Sequence, residues 1–114
     1  MKKFYPAVFH YEDGKYWVEF PTLKGCLTEG DNFNDACIMA EDALGEWIDS
    51  QEDIGNDIPK PVEIEELLKR YPNDKVVAIG YDEIEWKEKH FNISKKWLSL
   101  SKVLQSALKR DLNL

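Results

Sequence analysis

The sequence predicts an α+β domain: an antiparallel sheet of three N-terminal strands plus a fourth strand, one long helix packed on it, and a C-terminal strand–helix tail. Three observations predict it. Two runs of alternating residues flank an Asp13-Gly14 pair, a run of helical period follows Asn32, and residues 75–81 centre on the apolar run Val76-Val77-Ala78-Ile79-Gly80.

In the first run Tyr5, Ala7, Phe9 and Tyr11 share one face, and Pro6, Val8 and His10 the other. In the second, Tyr16, Val18 and Phe20 oppose Trp17 and Glu19. An Asp-Gly pair between two such runs signals a hairpin, because the tight turn needs positive φ. Pro21 closes the second strand, and a short third strand is expected over residues 25–29, ended by Gly30.

Asn32 is a good helix N-cap, and Asp35 stands where a capping box puts its acid. Phe33, Ala36, Cys37, Ala40, Ala43, Leu44, Trp47 and Ile48 then recur at helical spacing, so this face should lie on the sheet. A polar loop is expected over 51–60, with Gly55 and Pro59, and a short helix over 62–70 with Ile64, Leu67 and Leu68 on one side. The fourth strand, 75–81, is apolar on both faces, which predicts a place inside the sheet. Residues 89–94 alternate, and Ser99 or Ser101 can cap a last helix that carries Leu100, Val103, Leu104, Ala107, Leu108 and Leu112.

With 114 residues and 43% hydrophobic side chains, the chain suits one domain, or one small domain plus a tail. No apolar run approaches the roughly 20 residues that span a bilayer. Met1-Lys2-Lys3 is not followed by an apolar stretch, so no secretory signal is expected and the protein is placed in the cytosol. Cys26 and Cys37 fit that compartment as reduced, packed thiols. Their spacing matches no zinc pattern, and His10 and His90 lie far apart. No metal or cofactor is expected.

Charge divides the chain more sharply than hydropathy does. Residues 1–86 hold 8 basic and 20 acidic side chains, a net −12. Residues 87–114 hold 7 basic and 2 acidic ones, a net +5. The division gives a body, 1–86, and a basic segment, 87–114. An acidic body with a basic tail suits two partners of opposite sign.

Nothing in the chain points to catalysis. Two-metal nuclease chemistry needs clustered carboxylates across the scissile phosphate, and the first strand offers Val8, Phe9 and His10 instead. No nucleophile accompanies His10 at a recognisable turn, and no Gly-rich loop runs from a strand into a helix. No catalytic residue is assigned.

One ordered set of motifs is specific: Tyr5-Pro6-Ala7-Val8-Phe9, Asp13-Gly14, Val18-Glu19-Phe20-Pro21, Leu23 with Gly25-Cys26, Glu29-Gly30-Asp31, the helix with Ala36, Ala40 and Ala43-Leu44, and Ile58-Pro59. Over about residues 4–81 the chain resembles the HicB family of antitoxins. The resemblance implies a partial RNase H-like sheet with a helix packed on it. It also implies no enzymatic activity, and a partner that is a small basic mRNA-cleaving toxin of the HicA kind. Many members also bind operator DNA of their own operon. The tail resembles a shortened ribbon-helix-helix module: Phe91-Asn92-Ile93-Ser94 resembles its DNA-reading strand, Trp97-Leu98 the start of its first helix, and Ser99–Leu112 its second. Most of a helix and a turn of that module have no counterpart here.

Three groups of candidate residues follow. Glu12, Asp13, Glu19, Glu41 and Asp42 supply acids for a basic toxin, and Trp17 an aromatic anchor; the alternative for Trp17 is to cover the second sheet face or to pack under the tail. His90, Asn92 and Ser94, with Lys95, Lys96 and Lys102, would face DNA from a paired ribbon. Phe91, Ile93, Trp97, Leu100, Leu104 and Leu108 would form a homodimer or larger homo-oligomer. The alternative for the tail is dimerisation alone, with solvated lysines. The alternative for the whole chain is an orphan nucleic-acid-binding regulator with no toxin partner.

Overall fold

The computed structural model describes residues 2–90. The chain forms two compact units, Met1–Glu83 and Ile84–Leu114. The elements are β1 (Lys3–Glu12), β2 (Lys15–Glu19), β3 (Leu27–Gly30), α1 (Phe33–Asp53), α2 (Ile64–Arg70), β4 (Lys75–Tyr81) and α3 (Glu83–His90). The strands form one antiparallel sheet in the order β3-β2-β1-β4. No helix among the described residues is long and apolar enough to cross a membrane.

The Asp-Gly hairpin forms as the residues dictate. Asp13 and Gly14 take φ of 52° and 81°, and Glu12 pairs with Lys15 across the turn. That fixes the register Phe9↔Val18 and His10↔Trp17. Pro6 is tolerated in β1 because β2 reaches back only to Val8; at Pro6 the strand is paired on the β4 side alone, with Ala78.

The segment from Phe20 to Cys26 folds back on itself. The Phe20 amide donates to the Cys26 carbonyl at 3.2 Å, and the Leu23 amide to the Phe20 carbonyl at 2.9 Å. This drives Leu23 into the core and returns the chain as β3, with Gly25 at φ 83°.

Helix α1 is capped as predicted at its start: the Asp35 amide donates to Asn32 Oδ1 at 2.8 Å. The Asp35 carboxylate accepts from the Asp31 amide at 3.0 Å, one residue before the cap. At the other end the helix runs into the expected loop, to Asp53. Gly55, with φ 76°, stops it there: its amide donates to the Glu52 carbonyl, and the Asn56 amide to that of Gln51. These paired bonds are a Schellman motif with glycine in the left-handed position.

Ala36, Ala40, Leu44 and Ile48 form the buried stripe of α1, one residue per turn. It lies on Tyr5, Ala7, Phe9, Val18, Ile79 and Tyr81, with Phe20, Leu23 and Cys26 closing the core. Trp47 and Cys26 tie the helix to the Phe20–Cys26 segment: Trp47 Nε1 donates to the Lys24 carbonyl at 3.0 Å, and Cys26 Sγ to that of Ala43 at 3.6 Å. Both cysteines are free thiols.

The structure corrects two expectations. β4 is an edge strand of the four-stranded sheet, and the inner places go to β2 and to β1, which is buried from Tyr5 to Phe9. Helix α1 packs on β4 through the core, and α2 reaches its other face, where Val76 is half-buried and Ala78 exposed; an apolar run does not require neighbours on both edges. Of the strand expected over 89–94, the described residues Lys89 and His90 are helical and end α3. The run from Glu83 is rich in good helix formers, with Glu83 and Lys87 at the favourable i,i+4 spacing. This outweighs the weak alternation that suggested a strand, so His90 does not begin a ribbon. The remaining tail residues lie outside the described residues.

Candidate protein interface

The face of the sheet away from α1 carries Phe4, Pro6, Val8 and His10 of β1, Trp17 and Glu19 of β2, Leu27 and Glu29 of β3, and Val76 and Ala78 of β4, by strand alternation and register. Helix α2 packs against β4 and β1. Its Leu67 and the outward-facing Val8 are fully buried there. Among the described residues, the outer surface of β2 and β3 stays uncovered: Trp17 is 38% and Leu27 62% exposed, and Glu29 is exposed beside them.

A polar network stands at the border between the covered and bare halves. His10 Nε2 lies 2.7 Å from Glu19 Oε2, and His10 Nδ1 lies 3.2 Å from Asp74 Oδ2. Tyr71 donates its hydroxyl to Glu19 Oε1 at 3.5 Å and meets the imidazole edge-on at 5.8 Å. The Trp17 indole stacks on the other side of the network: its ring lies 3.9 Å from that of His10, at 15°. Cross-strand pairing places these two rings opposite each other, and the two carboxylates orient the imidazole. His10 is thus a satisfied strand histidine.

The candidate toxin-facing residues do not gather on one surface. Glu12 and Asp13 sit at the exposed hairpin tip, and Trp17 and Glu19 on the outer sheet face. Glu41 and Asp42 belong to α1, on the opposite side of the sheet. Glu19 is held by His10 and Tyr71, whereas Glu29 and, at the hairpin end, Glu12 have no ion partner among the described residues. Asn92, Ser94, Lys95, Lys96 and Lys102, proposed for DNA, lie outside the described residues. So do Phe91, Ile93, Trp97, Leu100, Leu104 and Leu108, proposed for oligomerisation.

Sequence reasoning missed Leu27, Glu29, Tyr71 and Asp74 as parts of one surface. The His10–Trp17 pair was readable, since a two-residue Asp-Gly turn fixes the register. Tyr71 and Asp74 arrive from more than 50 residues away in the chain, and no local pattern marks them.

The thiols offer no reactive centre. Burial, with a smaller push from Glu46, raises the Cys26 thiol from 9.0 to about 12. Burial and then Glu41 raise that of Cys37, against the pull of Lys75.

A half-covered sheet that holds a tryptophan out to solvent among acids is suited to recognising another protein. Residues 5–112 match the model of the HicB-like antitoxin family of bacterial toxin–antitoxin systems, and the chain belongs to that family. Solved structures share the fold. The Burkholderia pseudomallei antitoxin HicB is 23% identical, with a TM-score of 0.64, over 70% of this chain and 64% of that one. A chain of a toxin–antitoxin complex from Streptococcus pneumoniae is 20% identical, with a TM-score of 0.66, over 100% of this chain and 90% of that one. A chain of the HicA3 and HicB3 toxin–antitoxin complex is 20% identical, with a TM-score of 0.56, over 70% of this chain and 96% of that one. This chain therefore spans under two thirds of the Burkholderia protein. No curated protein sequence matches closely.

Proposed function

We propose that this antitoxin works by binding a small, basic, mRNA-cleaving toxin of the HicA kind and covering its catalytic surface. The family match over residues 5–112 carries the reading. A neighbour of the same fold occurs in a complex of HicA3 with HicB3. The net −12 on residues 1–86 adds electrostatic steering toward a basic partner. The protein acts by occupation and is not itself a nuclease. The test mixes it with the product of the adjacent small basic reading frame and measures RNA cleavage. Neutralisation at equimolar ratio is expected; cleavage that persists at molar excess of this chain refutes the proposal.

The basic tail supports a second role. A net +5 on residues 87–114 favours contact with the phosphates of operator DNA, in an assembly of two or more copies. Truncation after Trp86 should abolish operator binding and reduce the mass seen by light scattering, while the body still binds the toxin. Unchanged mass and operator affinity would remove this role. An orphan regulator would instead bind nucleic acid with no toxin gene beside its own.

A further inference from the structure

We propose that the bare β2–β3 half of the outer sheet face is the surface that receives the toxin, with Trp17 as its anchor and Glu29 as its free carboxylate. The inference rests on the toxin-binding reading above and assigns it to one surface. The occupant is a basic protein surface that presents a guanidinium over the indole.

Three observations carry it. First, apolar side chains stand exposed on β2 and β3 as diagonal neighbours, apart from Phe4, which is 53% exposed at the start of β1. Trp17 on β2 and Leu27 on β3 lie on the uncovered face, while Val8 on the same face is sealed under α2. Second, Trp17 is held before any partner arrives. One ring face lies on His10, whose own nitrogens are bracketed by Glu19 and Asp74. An exposed aromatic already fixed in place loses little conformational freedom on binding, which is what a hot-spot residue needs. Third, acids flank the indole on two sides, and Lys15, two residues the other way along β2, is turned to Asp31, 3.8 Å away. Glu29 is its direct cross-strand partner on β3, and Glu19 is two residues along β2. An arginine stacked on the indole would gain cation–π attraction and reach Glu29 with its N–H groups.

The alternative acidic surface is α1, where Ile38 is 50% exposed and Glu41 and Asp42 follow. Nothing orients Ile38 as His10 orients Trp17, so the outer sheet face is the better prepared of the two.

The experiment uses the full chain and the toxin encoded beside it, with affinity measured by calorimetry and rates by surface binding. Trp17→Ala should weaken the complex by about thirty-fold or more, mainly through faster dissociation. Glu29→Arg should slow association by about ten-fold and flatten its dependence on salt. Ile38→Ala should bind as the parent does. Circular dichroism monitors folding. If Trp17→Ala fails to fold, Glu29→Arg decides alone, because that side chain is exposed. Parent-like affinity in Trp17→Ala and Glu29→Arg overturns the assignment, and a loss in Ile38→Ala would then move the interface to α1 with the antitoxin reading intact. A Trp17→Ala effect on self-association alone would assign the face to a second copy and overturn the proposal. If the parent chain binds no toxin, both the surface and the function fall.

Discussion

The two faces of the sheet are built for different tasks. Under α1 the core is built from apolar side chains, and no polar or charged residue is buried among the described residues. Its side-chain hydrogen bonds are few: Tyr5 donates to the Pro59 carbonyl at 2.7 Å, and Cys26 to that of Ala43. The opposite face is dry only at Val8 and Leu67; it then passes through the His10 network to bare strand. Alternation lets β1 serve both faces, with Phe9 in the core and its neighbour His10 in the network. The difference separates stability from recognition: changes under α1 should act on folding, and changes beyond α2 on binding.

The largest test of that separation is Leu44→Ala. Leu44 is fully buried in the middle of the α1 stripe. Removing it should cost about 2–5 kcal/mol of folding stability, read as a shift of the urea midpoint. The folded fraction should bind toxin with parent affinity. A loss of affinity out of proportion to unfolding would show that the two faces are coupled.

Gly30→Ala should cost somewhat less. A Cβ at Gly30 would stand 2.4 Å from the Ala36 amide nitrogen and 2.5 Å from its Cα. Both are helix backbone, so β3 and the start of α1 must move apart. Overpacking of this kind costs about 1–3 kcal/mol. Because β3 also carries Leu27 and Glu29, this variant probes both faces, and a small loss of toxin affinity should accompany the drop in stability.

Most of the inner face was legible in the sequence, for physical reasons. The Asp13-Gly14 turn needs positive φ, which few residue pairs supply, so the hairpin and its register announce themselves. The Ala36-Ala40-Leu44-Ile48 stripe and the Asn32 cap mark α1 equally well. The place of β4 was not legible, because hydropathy reports covered faces and is silent about which edges are paired. Helix α3 was hidden because Glu83–His90 carries few apolar residues to mark a helical period, while the alternation from Lys89 suggested a strand. On the outer face, the pattern marked Trp17 and Glu19 but joined them to Glu41 and Asp42, since counting acids cannot say which side of the sheet an acid occupies. Tyr71 and Asp74 reach His10 only through tertiary packing.

The cysteines test the inner face by pH. The Cys26 thiol ionises near 9.0 when unfolded and near 12 when folded. The folded state therefore holds its proton where the unfolded state has lost it. The stability tied to that proton is fully present below pH 9 and is lost as pH rises toward 12. Cys26→Ala should flatten this alkaline limb of the stability profile. At pH 8, a thiol reagent should modify half-buried Cys37 faster than Cys26, which should react only on unfolding. Equal reactivity would show that the core opens easily, against the sealed character given to this face.

His10→Ala should have the smallest effect on stability. The histidine stacks on Trp17 and meets two half-exposed carboxylates. Aromatic stacking is worth about 0.5–1.5 kcal/mol and partly exposed ion pairs less, so the loss should be near 1 kcal/mol. Binding should respond separately. Without the imidazole beneath it, Trp17 must be ordered by the toxin, at roughly 0.5–1.5 kcal/mol for one side chain, or about two- to ten-fold in affinity. His10→Phe distinguishes positioning from general damage. It keeps an aromatic surface for Trp17 but gives up the bonds to Glu19 and Asp74, so it should restore most of the affinity without restoring the stability. If His10→Phe and His10→Ala weaken the complex equally, Trp17 is not held by stacking. If neither weakens it, the network belongs to folding alone, and the division between the two faces would have to be redrawn on the α2 side.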